Sequence, residues 1–342
     1  MTTEREHVNP WAGLATGIGS WPGTDAREAA AVIVGELPAL PHLVELPARG
    51  LGADMIGRAS ALLVDMHLDT TTTGYRLRAG RGAVARIAED LLKQDLDAFE
   101  EAWELAGAGA DRTVKVQSIG PWTLAAHAEL ATGRRALVDR GAVRDLSESL
   151  AEGISRHSAE LHRRLGVSVV VQIDEPALPA VLAGTLQGRT MLETVPAVPE
   201  PEIQQVLDTT LGGLGSPAAV HCCSGGLPAD LFRRSEAAAV SFDFAQLTRA
   251  ELDPVGELLD SGTILLMGLV PTVAPEKIPT WRELAEPAVA LIDRLGFSRT
   301  TLRSVSATPA CGLAGADPAW ARTALRMASD ISAAFSEDPE SL

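Results

Sequence analysis

The run Val167-Ser168-Val169-Val170-Val171-Gln172-Ile173-Asp174-Glu175-Pro176 is apolar and β-branched almost throughout, then stops in two carboxylates and a proline. A strand with one wet face alternates apolar and polar residues. One covered on both faces does not, and such strands belong to parallel sheets flanked by helices. Pro176 has no N–H to continue the ladder, so the strand is predicted to end there. Its polar residues then lie at its C-terminal end.

Working outward, similar runs recur at residues 14–21, 42–48, 113–119, 217–222, 238–244, 263–269 and 301–307, which with 167–173 makes eight predicted strands. Between them lie stretches with apolar residues at helical spacing, over 25–37, 53–66, 84–106, 143–165, 200–214, 227–234, 249–259, 280–295 and 318–335. Residues 69–74 between two of these elements form a polar, threonine-rich stretch. Strand and helix in strict alternation predict an α/β fold, here a single-domain (β/α)8 TIM barrel. A doubly wound sheet shows the same alternation, but it carries a glycine-rich phosphate turn opening a helix after its first strand. Here Pro22 stands where that helix would begin. No linker divides the chain, so residues 1–13 are expected to form an N-terminal extension, 14–337 the barrel and 338–342 a tail.

Composition narrows the class. With 342 residues, 46% hydrophobic and 22% charged, the chain has ample core material. A net charge of −16 argues against nucleic acid or an anionic membrane as partner. The N-terminus is polar without an apolar signal region, and no apolar run approaches the ~20 residues of a membrane span. Three cysteines in such a chain point to metal or catalysis rather than disulfides, and a cytoplasmic enzyme is expected.

Barrel enzymes build their sites at the C-terminal ends of their strands. There the sequence places Ile18-Gly19-Ser20, Glu45, Asp174-Glu175, His221-Cys222-Cys223, Asp243 and Cys311. Two thiolates and an imidazole are zinc donors. Alternation along an extended strand end lets His221 and Cys223 face one ion and turns Cys222 into packing. Cys311 is the second thiolate, and Asp243, an acid in an apolar strand, the expected fourth ligand. Of the adjacent carboxylates, Asp174 is read as the one in the barrel mouth, where it suits a substrate ammonium group. Ile18-Gly19-Ser20 offers backbone N–H groups and a hydroxyl that suit a carboxylate, or else a plain βα turn. His157 and His162, on a helix with charged neighbours, read as surface residues.

Together, Thr16-Gly17-Ile18-Gly19-Ser20-Trp21-Pro22, Ser118-Ile119-Gly120-Pro121-Trp122-Thr123, Gln172-Ile173-Asp174-Glu175-Pro176-Ala177-Leu178, His221-Cys222-Cys223 and Pro309-Ala310-Cys311-Gly312-Leu313 resemble, in order, the catalytic barrel of cobalamin-independent methionine synthases. The resemblance spans about residues 14–335 and implies a short, barrel-only member that transfers a methyl group to homocysteine with Zn²⁺ as cofactor. It implies His221, Cys223, Cys311 and Asp243 as zinc ligands, although that last position is typically glutamate. It implies Ile18, Gly19 and Ser20 as the segment holding homocysteine, and Asp174 as the carboxylate on its amino group. Glu45 substitutes for an acid after the second strand, where Arg49 and Leu51 are the nearest aligned residues.

The folate half departs from the family. His127 stands at its tryptophan and Ala180 at its acid, and Val270-Pro271-Thr272-Val273-Ala274 lacks its proton-donating histidine. A methyl on a folate nitrogen leaves only when that nitrogen is protonated, whereas a corrinoid methyl needs no such acid. The methyl donor is therefore methyltetrahydrofolate or a methyl-corrinoid carried on a partner protein. Two other readings stand beside this one. A barrel of the uroporphyrinogen decarboxylase type would call for arginines at the strand ends, and none is found there. A non-catalytic homologue would bind zinc and amino acid without turnover.

Overall fold

The computed structural model describes residues 9–72, 74–188 and 195–342; residues 1–8 of the expected N-terminal extension lie outside these. In chain order its strands are β1 (His67–Thr71), β2 (Gly74–Arg78), β3 (Thr113–Ile119), β4 (Ala128–Glu129), β5 (Ser168–Asp174), β6 (Ala218–Cys222), β7 (Ala239–Asp243), β8 (Ile264–Val270) and β9 (Val305–Pro309). β3, β5, β6, β7, β8 and β9 form one six-stranded sheet in sequence order, every pair parallel. Helices on its outer side include Ala83–Leu105, Arg140–Leu165, Glu200–Gly213, Trp281–Leu295 and Pro318–Glu337.

The first two predicted strands are present as extended segments rather than regular strands. Pro41 O accepts from Lys115 N and Leu43 N donates to Lys115 O, both at 2.9 Å, which docks residues 41–43 on β3. Glu45 N donates to Gly19 O at 3.1 Å and Trp21 N to Glu45 O at 2.9 Å, adding the first segment beyond the second. Each pair amounts to a single parallel bridge, Ser20 with Glu45 and His42 with Lys115. Prolines at 22, 41 and 47 remove donors at the segment ends, which keeps the ladders short. On the other side, Ser306 Oγ in β9 donates to Trp11 O at 2.5 Å and accepts from Leu14 N at 3.0 Å. The curled sheet thus has its first segment next to its last strand through a side chain.

Three further boundaries differ from expectation. The last strand begins at Val305, because residues Arg299–Ser304 form a 3-10 helix capped by Ser298, whose side chain accepts from Thr300 N. The helix expected over 53–66 is only Met55–Ala59. Ser149 of the long helix Arg140–Leu165 bonds both Val64 N and Val64 O and holds the chain there in a non-helical path. The threonine-rich stretch that follows is the antiparallel hairpin β1–β2, with β4 paired to β2. His157 is buried rather than on the surface, and burial first, then the Arg58 charge, pushes its pKa down to about 3.

Strand periodicity sorts the two faces of the sheet. Val114 and Val116, Val171 and Ile173, Val220 and Cys222, Val240 and Phe242, Leu265 and Met267 pack outward into the main hydrophobic core under the helices. Val170, Ala219, Ala239, Ile264 and Leu266 form a smaller cluster with Trp11 and Leu40. Further along the same inner positions come Lys115, Gln117, Gln172, Asp174, His221, Ser241 and Thr308, all buried and polar. The sheet interior is therefore apolar at one end and polar at the end where the strands finish. Among the described residues, no helix is long and apolar enough to cross a membrane.

One contact sets how closely the long helix approaches the chain before the hairpin. A Cβ on Gly153 would overlap the Leu62 carbonyl. Alanine in a helix interior ordinarily stabilises by ~1 kcal/mol over glycine. Here Gly153→Ala is expected to reverse that sign and cost about 1–3 kcal/mol through overpacking, as read from urea unfolding.

Candidate active site

The polar end of the sheet interior has a sulfur side and a carboxylate side. On the sulfur side, β6 turns Cys222 outward into the core, which leaves His221 on the inner face, with Cys223 next in the chain. Cys311 follows β9. One donor atom each from His221, Cys223 and Cys311 lie within 4.8 Å of one another, and the two Sγ atoms are 3.1 Å apart in free cysteines.

These residues fit a metal on observations independent of any resemblance. His221 Nδ1 is 2.9 Å from Ser241 Oγ on β7, which orients the ring and leaves Nε2 for the site. That Nε2 is buried and has no hydrogen-bond partner, a costly state for an imidazole nitrogen unless an ion completes it. Cys311, between Cys223 and His221, is held well below the usual thiol range, mainly by the Cys223 contact; the same contact, with burial, pushes Cys223 up. A sulfur pair in which one thiolate is favoured is a soft donor set. Asp243 stands outside this group of three donor atoms, with its Oδ1 accepting from Ala245 N at 2.9 Å to cap the 3-10 turn Phe244–Gln246.

On the carboxylate side, Asp174 is buried at the end of β5 and lines a narrow cavity with Glu45, Arg58 and Ser118. Gln172 Nε2 donates to Asp174 Oδ1 at 2.7 Å and to Ile18 O at 2.9 Å. Burial pushes the Asp174 pKa up, while the charges of His221 and Lys115 oppose that shift. Gly19, next to Ile18, has φ +150° and lies so close to Gln117 that a Cβ would come within 2.7 Å of its Cδ and Cγ. That close approach and that backbone conformation both require glycine. Ser20 O accepts from Leu313 N at 2.9 Å, which ties this segment to the Cys311 loop. Glu45 lies 3.4 Å from Arg58 Nε, and Arg58 in turn donates to Asp95 at 2.7 Å, beside Arg49 at 2.8 Å. The arginine in the cavity is thus already occupied by carboxylates, which leaves no free arginine cluster there for a polycarboxylate.

The structure therefore brings Ile18, Gly19, Ser20, Glu45 and Asp174 to the same end of the sheet as His221, Cys223 and Cys311. Glu175 points away from Asp174, as alternation requires. It accepts from Trp122 N at 2.9 Å, Thr123 N at 2.7 Å and Thr123 Oγ at 2.6 Å, capping the helix Pro121–His127, and burial lifts its pKa to about 7 against those bonds. Lys115, Gln172 and Ser241 escaped the sequence reading. Alternation within Thr113-Val114-Lys115-Val116-Gln117 was the available signal, since it sets Lys115 and Gln117 on one face.

The geometry separates supporting from ligating groups. Cys222→Ala is expected to keep zinc, and Ser241→Ala to weaken it by ~10–100-fold, as a lost support for a ligand does. His221→Ala and Cys311→Ser are expected to lose more than that in competition titrations against a chromophoric chelator. Stoichiometric zinc in Cys311→Ser contradicts the site.

Residues 14–334 match the family model described as cobalamin-independent synthase, catalytic domain. No curated protein matches the sequence. Among solved structures, the chain is similar to a B12-independent methionine synthase from Shewanella sp. W3-18-1 in complex with selenomethionine, at 12% identity and a TM-score of 0.61, covering 97% of this chain and 100% of that one. It is also similar to a putative vitamin-B12 independent methionine synthase from Listeria monocytogenes, at 14% identity and a TM-score of 0.54, covering 92% and 96%. At these identities the likeness is one of fold. Spanning nearly the whole chain, the family match leads to one conclusion: this protein belongs to the cobalamin-independent synthase family and carries its catalytic domain.

Proposed function

We propose that this chain is a zinc-dependent methyltransferase that forms methionine by methylating the thiol of homocysteine, in a closed (β/α)8 barrel. The observation that carries this reading is the meeting of His221, Cys223 and Cys311 with the buried carboxylate of Asp174 at one end of the sheet interior. One donor set suits a thiol-binding metal and the other an ammonium group, and homocysteine has both functional groups. The eight-stranded barrel is supported by the two extended segments, which add residues 18–21 and 41–45 beyond β3, and by the Ser306 contacts with residues 11–14.

Three protein donors, His221, Cys223 and Cys311, would hold zinc and leave one position open, as in catalytic zinc sites. When bound there, zinc supplies a Lewis acid that favours thiolate over thiol at neutral pH. Asp243, half-buried beside the cluster, adds negative charge near it without a ligand role in this arrangement. Asp174 and Glu45 receive the ammonium group, and the Ser20 hydroxyl and the backbone at Gly19–Ser20 face the carboxylate. The Shewanella protein's complex with selenomethionine, an amino acid of the product's shape, supports an amino-acid site in this fold.

For the donor, the segment after β8 favours a methyl-corrinoid. Val270-Pro271-Thr272-Val273-Ala274 contains no acid, and Pro271 O is occupied by Trp320 Nε1 at 3.0 Å. A folate nitrogen would lack its proton there.

Purified protein given homocysteine is expected to form methionine from methylcobalamin. With methyltetrahydrofolate the rate should be at least about a hundredfold lower, the share a missing general acid takes away. Mass spectrometry of the product decides. If neither donor yields methionine while zinc and methionine still bind, the transferase reading fails and a binding protein remains.

A further inference from the structure

Lys115 is a buried cation for which the proposed reaction has no use. It lies on the inner face of β3, fully buried, with its amine donating to Gln172 Oε1 at 2.6 Å and to Ile18 O at 2.9 Å. Burying an ammonium group costs several kcal/mol unless it is paired and hydrogen-bonded, so the position has to be compensated. Asp174 and Glu45 provide the compensating charge, while burial pulls the Lys115 pKa down.

The donor and acceptor inventory makes this arrangement directional. An ammonium group can only donate, and a carboxylate can only accept. Gln172 stands between one of each. Its carbonyl must face Lys115, so its NH₂ must face away, and the two N–H bonds go to Asp174 Oδ1 and Ile18 O. The opposite amide orientation would set N–H against ammonium and carbonyl against carboxylate. Ile18 O, with donors from both Lys115 and Gln172, has both lone pairs filled, which fixes the backbone that leads into Gly19 and Ser20. One cation thus sets the position of a carboxylate on β5 and of a backbone turn on the first segment.

We propose that Lys115 is a positioning residue that, through Gln172, aims Asp174 at the α-ammonium group of the substrate and so selects α-amino acids over analogues without the amine. The inference rests on the reading of Asp174 as the ammonium-binding group. A lysine that merely held the fold together would support every ligand of the site equally. A relay to Asp174 matters only for ligands that carry the amine.

Calorimetric titration with L-methionine and with 4-(methylthio)butanoate, the same chain without its amine, separates these roles. Wild-type protein is expected to prefer methionine by roughly ten- to a hundredfold, the value of a charge-assisted hydrogen bond. In Lys115→Met and in Gln172→Leu that preference is expected to fall below about threefold, with affinity for the desamino analogue and zinc content retained. Should Lys115→Met fail to fold, Gln172→Leu decides alone, since it breaks the relay while Lys115 keeps its bond to Ile18 O. If wild type shows the preference and Gln172→Leu keeps it, or loses both ligands equally, the relay is refuted while the amino-acid site stands. If wild type shows no preference, Asp174 does not bind an ammonium group, and the site reading falls together with the relay.

Discussion

Polar groups on the inner face of this sheet are beyond the reach of bulk water, so each has to find its partner among the other inward-facing side chains. Lys115, Gln172, Asp174 and the Ile18 carbonyl pair with one another in this way, Asp174 through its Oδ1. His221 has Ser241 on one nitrogen and, on the other, no hydrogen-bond partner, only the neighbouring sulfurs. The interior is thus bonded within itself on its carboxylate side, where Asp174 keeps acceptor capacity for a ligand, and open beside the sulfurs. An unsatisfied imidazole nitrogen next to two close sulfurs marks the point at which something from outside completes the structure.

The same constraint explains the division of labour between neighbouring residues. Asp174 and Glu175 are adjacent in the chain and chemically alike, yet alternation sends one into the site and the other to the amides of Trp122 and Thr123. Cys222 and Cys223 divide in the same manner: the first is core, the second reaches Cys311. Glu175 joins the helix after β3 to the end of β5, so the site's carboxylate stands on a strand end braced from behind. The buried Arg49–Asp95–Arg58 group does the corresponding work behind Glu45.

Much of this was legible in the residues. The nearly continuous apolar run at 167–173 predicted a strand covered on both faces, and the alternation of such runs with amphipathic stretches predicted a parallel α/β sheet. His221, Cys223 and Cys311 stood out because soft donors at strand ends are rare and chemically specific. The first two strands were legible as extended but not as short, because proline removes hydrogen bonds that hydrophobicity alone would grant. The hairpin β1–β2 was not legible: its threonines and arginines match a loop by polarity, and Ser149, which holds Val64 just before it, comes from a distant helix. His157 was misread for a similar reason, since its charged sequence neighbours occupy other faces of the helix.

By itself, the sequence determined what depends on period and on the chemistry of single side chains: the alternation of parallel strands with helices, the face that residues take along those strands, and which side chains carry metal-donor atoms. Only the tertiary structure decided what lies across the sheet. Lys115 and Gln172 are 57 positions apart, and Lys115 and Ile18 are 97 apart. No local pattern encodes their meeting, which follows from the register of parallel neighbours. Nor does composition say that the Asp243 carboxylate caps its own turn, or that two sulfurs lie beside the orphaned nitrogen of His221. Period is a property of the chain, whereas the partner of a buried polar atom depends on how separate strands are brought side by side.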